Sequence, residues 1–313
     1  RTAVHAALPG LTLPRGPSVP AMTSWTEGRV SANDIDFAYF EQGEGPLALC
    51  MHGYPDTAYT WRYLLPELAA AGYRAVAPFN RGYAPTSLAA DGRYQAGVLG
   101  VDANALHEAL GGDGDAVIIG HDYGAMGAYA AATLEPDRWR KVVTAAVPPG
   151  PIVGASIFTY EQLKLSWYIF FQLTPFADIA VAMNEYEFIT KLWRDWSPGY
   201  DEVIDVDHFI ASMATPEHLS AALGYYRQTL QFELQDPALA DAQNGTLSIP
   251  TKPLLYLHGR NDGCMAPWAA EGAGDVLTVP GSRAVMVDDA GHFLQRQHAQ
   301  FRQAGDVGRR CIF

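Results

Sequence analysis

The sequence predicts an α/β protein in which a largely parallel sheet is covered by helices on both faces and interrupted by one helical insertion. Three observations lead there. After residue 25, short and nearly continuous apolar runs alternate with longer helical stretches, as expected of strands buried on both faces. The alternation stops at Pro148-Pro149-Gly150-Pro151, a cluster that can continue neither a helix nor a central strand. From there to about Leu247 the chain is helical in pattern and dense in Trp, Tyr and Phe, and strand signals resume only at Pro250.

In chain order, strands are expected at Ile35–Phe40, Leu47–Met51, Arg74–Pro78, Ala116–Gly120, Val142–Val147, Leu254–His258 and Ala284–Val287. Helices are expected at Trp61–Ala71, Tyr94–Leu110 and Ala125–Glu135. The core therefore comprises 25–147 and 248–313, with 148–247 as a helical cap over the sheet. The short polar re-entry Gln243-Asn244-Gly245-Thr246 favours an insertion over a separate domain. Residues 1–24 read as a disordered or vector-derived extension, with Met22 as a natural start. A closing helix is expected after Gln297, yet Gln300–Gly308 lacks amphipathic spacing, so its structure is left open.

Composition narrows the function. The 313 residues are 49% hydrophobic and 18% charged, as in a globular enzyme. A net charge of -13 argues against nucleic acid and anionic membranes as partners. Three cysteines, Cys50, Cys264 and Cys311, give neither a disulfide framework nor a metal-ligand spacing and suit the cytoplasm. No metal and no cofactor is expected. Nothing in the chain is apolar for the roughly 18 residues a membrane helix needs. Monomer and homodimer are both compatible with the sequence.

The most informative stretch is Gly120-His121-Asp122-Tyr123-Gly124, between the β-branched run Ala116–Ile119 and the small-residue helix from Ala125. This is a strand–tight turn–helix pattern, which projects one side chain as a nucleophile. Here that side chain is a carboxylate. It is ionised near neutral pH and needs no base for attack. A carboxylate attacks strained or activated saturated carbon far better than amides, so the chemistry passes through an alkyl ester on Asp122.

Hydrolysing that ester requires a base. Of nine histidines, His292 stands in the best setting, in a glycine-bearing loop after Val285–Val287 and late in the chain. His121 points the other way off the turn and is structural. Asp262, in the loop after Leu254–His258, would orient the base. Asp288 and Asp289 leave their strand away from it. The ester oxyanion needs backbone N–H donors, and Tyr123 and Tyr54 are placed to supply them. His52 would brace the Tyr54 loop.

Together, His52-Gly53-Tyr54-Pro55-Asp56, Arg81-Gly82-Tyr83, Gly120–Gly124, Asp262 and Gly291-His292-Phe293 make the chain resemble an α/β-hydrolase-fold epoxide hydrolase of the aspartate-nucleophile branch. The resemblance runs from about 25 to 297 and implies an eight-stranded, mostly parallel sheet. It also implies two cap tyrosines that donate to the epoxide oxygen; Tyr168 and Tyr226 occupy matching settings. Trp61, Trp167, Phe170 and Tyr225 would line an aromatic pocket for a small hydrophobic epoxide. Phe79-Asn80 before Arg81 departs from the family pattern.

Two rivals remain. A haloalkane or haloacid dehalogenase shares the nucleophile, but Tyr123 stands where a halide-binding Trp is usual, and arginines to grip a substrate carboxylate are missing. Trp167 and Tyr226 remain compatible with halide binding. A non-catalytic ligand receptor would lack a triad member, and none is missing.

Overall fold

Residues 25–297 are described by a computed structural model. The expected extension over 1–24 and the chain beyond Gln297 lie outside the described residues. The strands are β1 (Thr26–Ala32), β2 (Ile35–Gln42), β3 (Leu47–Met51), β4 (Arg74–Pro78), β5 (Val117–His121), β6 (Lys141–Ala145), β7 (Leu254–Gly259) and β8 (Arg283–Val287). They form one eight-stranded sheet in the order β1-β2-β4-β3-β5-β6-β7-β8. Only β1–β2 and β2–β4 pair antiparallel; all other pairs are parallel.

Every residue of β3, β5 and β7 is buried, which is why these strands are continuous apolar runs. The β1 strand escapes the sequence reading for the opposite reason. It pairs only with β2, is largely exposed and spells the polar Thr26-Glu27-Gly28-Arg29-Val30-Ser31-Ala32.

Helices α1 (Leu64–Ala70), α2 (Val98–Ala109) and α3 (Tyr123–Leu134) belong to the first part of the core. The helix expected over 61–71 divides into one 3-10 turn, Ala58–Trp61, followed by α1. The helix expected from Tyr94 starts only at Val98. The N–H groups of Tyr94, Ala96 and Gly97 bond instead to the side chains of Gln228, Thr229 and Gln243 at 2.7, 2.9 and 3.0 Å. A helix begun at Tyr94 would leave these N–H groups without intrahelical acceptors, and side chains of the insertion satisfy them.

Between β6 and β7 the chain is helical: α4 (Gly150–Ser156), α5 (Tyr160–Leu165), α6 (Trp167–Gln172), α7 (Ala177–Trp196), α8 (Val203–Ser212), α9 (Pro216–Leu230) and α10 (Ala240–Gly245). In α7 the helix breaks at Met183, and Asn184, Glu185 and Tyr186 follow in left-handed conformation. The inserted helices are fastened to the loops that leave the carboxyl ends of β3 and β4. Trp193 Nε1 donates to Pro55 O at 2.9 Å, and Tyr225 Oη donates to Arg81 O at 2.9 Å. Arg81 is itself held by Asp102 of α2 in a fully buried bidentate pair at 2.5 and 2.6 Å. Asp205 of α8 joins Arg62, Tyr200 and Arg296 in one buried network. Two short helices, α11 (Pro267–Ala270) and α12 (Leu294–Gln297), follow β7 and β8. Among the described residues, no helix is long and apolar enough to cross a membrane.

Candidate active site

Asp122 is the single residue between β5 and α3, at φ 53° and ψ −121°. Its neighbours explain why such a turn forms. A Cβ on Gly124 would fall 2.1 Å from the Met51 carbonyl oxygen, so α3 can start against the end of β3 only with glycine there. A Cβ on Gly53 would lie 2.4 Å from both Cβ and Oδ1 of Asp122. That close approach lets the Tyr54 N–H reach Asp122 Oδ1 at 2.8 Å. Gly53→Ala is expected to push the two apart and to lower turnover by about 10²-fold. Steady-state rates compared at unchanged circular dichroism would check this.

The other carboxylate oxygen, Asp122 Oδ2, lies 3.5 Å from His292 Nε2, an ion-pair separation rather than a hydrogen bond. His292 Nδ1 donates to Asp262 Oδ2 at 3.0 Å. Asp262 Oδ1 accepts the N–H groups of Cys264 and Met265 at 2.7 and 2.9 Å, which fixes the carboxylate at the end of β7. The elbow after β5 and the loops after β7 and β8 thus meet at the carboxyl edge of the sheet, where such sites form.

The electrostatics suit a charged resting pair. Burial opposes ionisation of Asp122, but His292 and the Tyr54 N–H outweigh it and hold its carboxyl below the usual range. Burial likewise opposes an imidazolium at His292, yet Cys264, Asp262 and Asp122 raise it well above the ordinary histidine value. Cys264 is itself pushed up by burial and stays a thiol near neutral pH, so the two carboxylates carry that stabilisation.

The neighbouring histidines are structural. His52 donates from Nδ1 to Gly53 O at 2.9 Å and accepts the Asn80 N–H at Nε2, also at 2.9 Å, bracing the Tyr54 loop. Asn80 further donates to His52 O at 2.7 Å, which gives the unusual Phe79-Asn80 a clear task. His121 donates from Nε2 to the His292 carbonyl oxygen at 2.9 Å. Burial lowers His52 to about 4 and His121 to about 3, so both are neutral. Asp288 pairs with Arg260 at 2.7 Å on the surface, away from the imidazole.

Tyr54, Tyr123, Tyr168 and Tyr226 form an aromatic cluster above the carboxylate. The Tyr226 ring meets those of Tyr123, Tyr54 and Tyr168 at centroid distances of 4.9, 5.2 and 5.9 Å. Tyr168 Oη lies 3.2 Å from Cys264 Sγ, and Gln172 donates to Tyr54 Oη at 2.9 Å. Tyr226 Oη is buried and has no hydrogen-bond partner. Burial holds Tyr168 and Tyr226 well above the usual phenol value, so both keep their protons.

The expected pocket residues divide. Tyr225 is buried beneath Tyr123, with ring centroids 5.4 Å apart. Trp61 is fully buried beside the Tyr54 loop, its Nε1 without an acceptor. Trp167 and Phe170 do not form an enclosed wall: they are 49% and 41% exposed. The phase of α6 is the reason. Tyr168 and Gln172, one turn apart, are its buried residues, which leaves Trp167 and Phe170 on the outer faces. Trp167 packs instead on Phe171 and Phe188 of the insertion.

The sequence reading missed two contributors. The carbonyl of Trp196, at the end of α7, accepts the N–H groups of His292 at 2.8 Å and Gly263 at 3.2 Å. A backbone carbonyl leaves no mark in a sequence. Cys264, two residues after Asp262, brings its thiol to Tyr168 through the fold-back of its loop.

Comparison with known proteins finds relatives of the same fold. The family described as alpha/beta hydrolase fold matches residues 46–299. A protein of Caballeronia sordidicola named epoxide hydrolase is 39% identical over 155 residues, covering 48% of this chain and 46% of its own length. Epoxide hydrolase A of Mycobacterium tuberculosis is 29% identical over 308 residues, covering 87% of this chain and 93% of that protein. The crystal structure of epoxide hydrolase A from Mycobacterium thermoresistibile superposes with a TM-score of 0.70 at 26% identity, over 91% of this chain and 97% of that one.

Proposed function

The chain belongs to the α/β-hydrolase fold family, and from that premise we propose that it opens hydrophobic epoxides to vicinal diols through an alkyl ester on Asp122. The observation that carries the proposal is an elbow carboxylate beside an aromatic cluster that holds a buried, unpartnered phenol, Tyr226. A phenol in that state can donate to an oxygen that the resting protein lacks. The relatives named epoxide hydrolase support the same substrate class.

Oδ1 of Asp122 is held by the Tyr54 N–H, so Oδ2 is the attacking oxygen. As Oδ2 bonds to an epoxide carbon, the carbon–oxygen ring bond breaks and the leaving oxygen takes a proton from Tyr226, with Tyr168 as second donor. Esterification removes the charge of Asp122. His292 then loses one of the carboxylates that kept it protonated, and its proton returns to the Tyr226 phenolate left by ring opening, so that the imidazole is a neutral base when one is needed. Its Nε2 takes a proton from water, which attacks the ester carbonyl. The oxyanion forms on Oδ1, already at the Tyr54 N–H; the N–H of Tyr123, at the start of α3 where no intrahelical acceptor exists, is the second donor. Asp262 offsets the imidazolium. Residues 148–247 act as the cap over a core of 25–147 and 248–313, with Tyr225 and Trp61 lining the aromatic site.

Single turnover in oxygen-18 water tests this route. The first diol should carry no label, because its new oxygen comes from Asp122. A labelled first diol rules out the ester. Tyr226→Phe should lower kcat for epoxide opening by about 10²- to 10⁴-fold, measured by diol formation. Halide release is not expected from haloalkanes, since Trp167, the candidate halide donor, lies half-exposed against other cap aromatics.

A further inference from the structure

We propose that Cys264, His292 and Asp262 bind a thiophilic divalent cation of the zinc and cadmium type, and that filling this site shuts the enzyme off. Sulfur, imidazole nitrogen and carboxylate oxygen lie within 4.8 Å of one another, and all three residues are buried. Around a tetrahedral ion with bonds of about 2.0–2.3 Å, such donors stand roughly 3.3–3.8 Å apart, so only a small contraction is needed. A mixed sulfur, nitrogen and oxygen donor set selects soft or borderline cations over magnesium or calcium.

The sequence hides this arrangement, because its cysteines show no ligand spacing; three separate features assemble it. The loop after β7 folds back so that the Cys264 N–H bonds to Asp262 Oδ1 at 2.7 Å, which brings the thiol beside the imidazole. His292 Nδ1 already stands 3.0 Å from Asp262 Oδ2, so the ion takes the place of the proton between them and leaves Nε2 carrying the ring's hydrogen. The Cys264 sulfur contacts Tyr168 Oη at 3.2 Å. On binding, the thiol proton and one proton of the His292 imidazolium leave to solvent as the sulfur–metal and nitrogen–metal bonds form, with no change of oxidation state. Thiolate and Asp262 together neutralise the two positive charges of the ion. A ligated imidazole can no longer take a proton from water. Binding stands independently of the reaction; the loss of turnover rests on the epoxide chemistry proposed above.

The test uses the full chain in a Cys50→Ala, Cys311→Ser background, titrated with cadmium and followed by the ultraviolet thiolate-to-cadmium charge-transfer band. One cadmium per chain is expected, with parallel loss of diol formation restored by a chelator. Cys264→Ser should abolish the band, and His292→Gln should weaken cadmium at least about tenfold. X-ray absorption at the cadmium edge, which needs no further variant, should show one sulfur among lighter donors. Absence of the band, its survival in Cys264→Ser, or a sulfur-free shell overturns the site. A chain that takes up one cadmium yet hydrolyses no epoxide upholds the site and overturns the reaction.

Discussion

Asp122→Ala is expected to leave a folded protein whose epoxide turnover has fallen by at least about 10⁴-fold, the scale seen when a nucleophile is deleted. No other described group can take its place. Asp262, the other carboxylate in the triad, spends Oδ1 on two backbone N–H groups and Oδ2 on His292. Folding should survive the change because the imidazole retains Asp262 as its partner, so no buried charge is left alone. Diol formation by chromatography, beside thermal unfolding of both proteins, gives the answer. Turnover within tenfold of the parent would reject Asp122 as the nucleophile.

His292→Gln separates the two halves of the reaction. Alkylation still proceeds, because the carboxylate attacks without a base, but hydrolysis of the ester should slow by about 10²- to 10⁴-fold. The ester therefore accumulates, and intact-protein mass spectrometry should show one added epoxide per chain. The adduct should vanish in Asp122→Ala/His292→Gln. The pH profile supplies an independent sign. His292 helps hold the Asp122 carboxyl low, against burial that raises it. Without the imidazole, the carboxyl titrates higher, and the acid limb of the alkylation rate should move to higher pH. A variant that forms no adduct, or an adduct that persists without Asp122, would defeat the mechanism.

What could be seen in the sequence follows from how local each feature is. The elbow is written in five consecutive residues, because turn, strand end and helix start all depend on near neighbours. His292 and Asp262 were legible through their order along the chain and their places after strands. Trp167 and Phe170 were misplaced because aromatic content was read without helical phase, and α6 is too short for its phase to show in sequence. The late start of α2 depends on side chains of α9 and α10, far along the chain. Cys264 joins the triad only through the fold-back of its loop.

The carbonyl of Trp196 carries a wider consequence. A single oxygen on the insertion grips both the strand-seven loop and His292, so whatever reshapes the roof also shifts the imidazole beneath it. A roof transplanted from a relative would have to return that one oxygen to its place before any new epoxide could be processed.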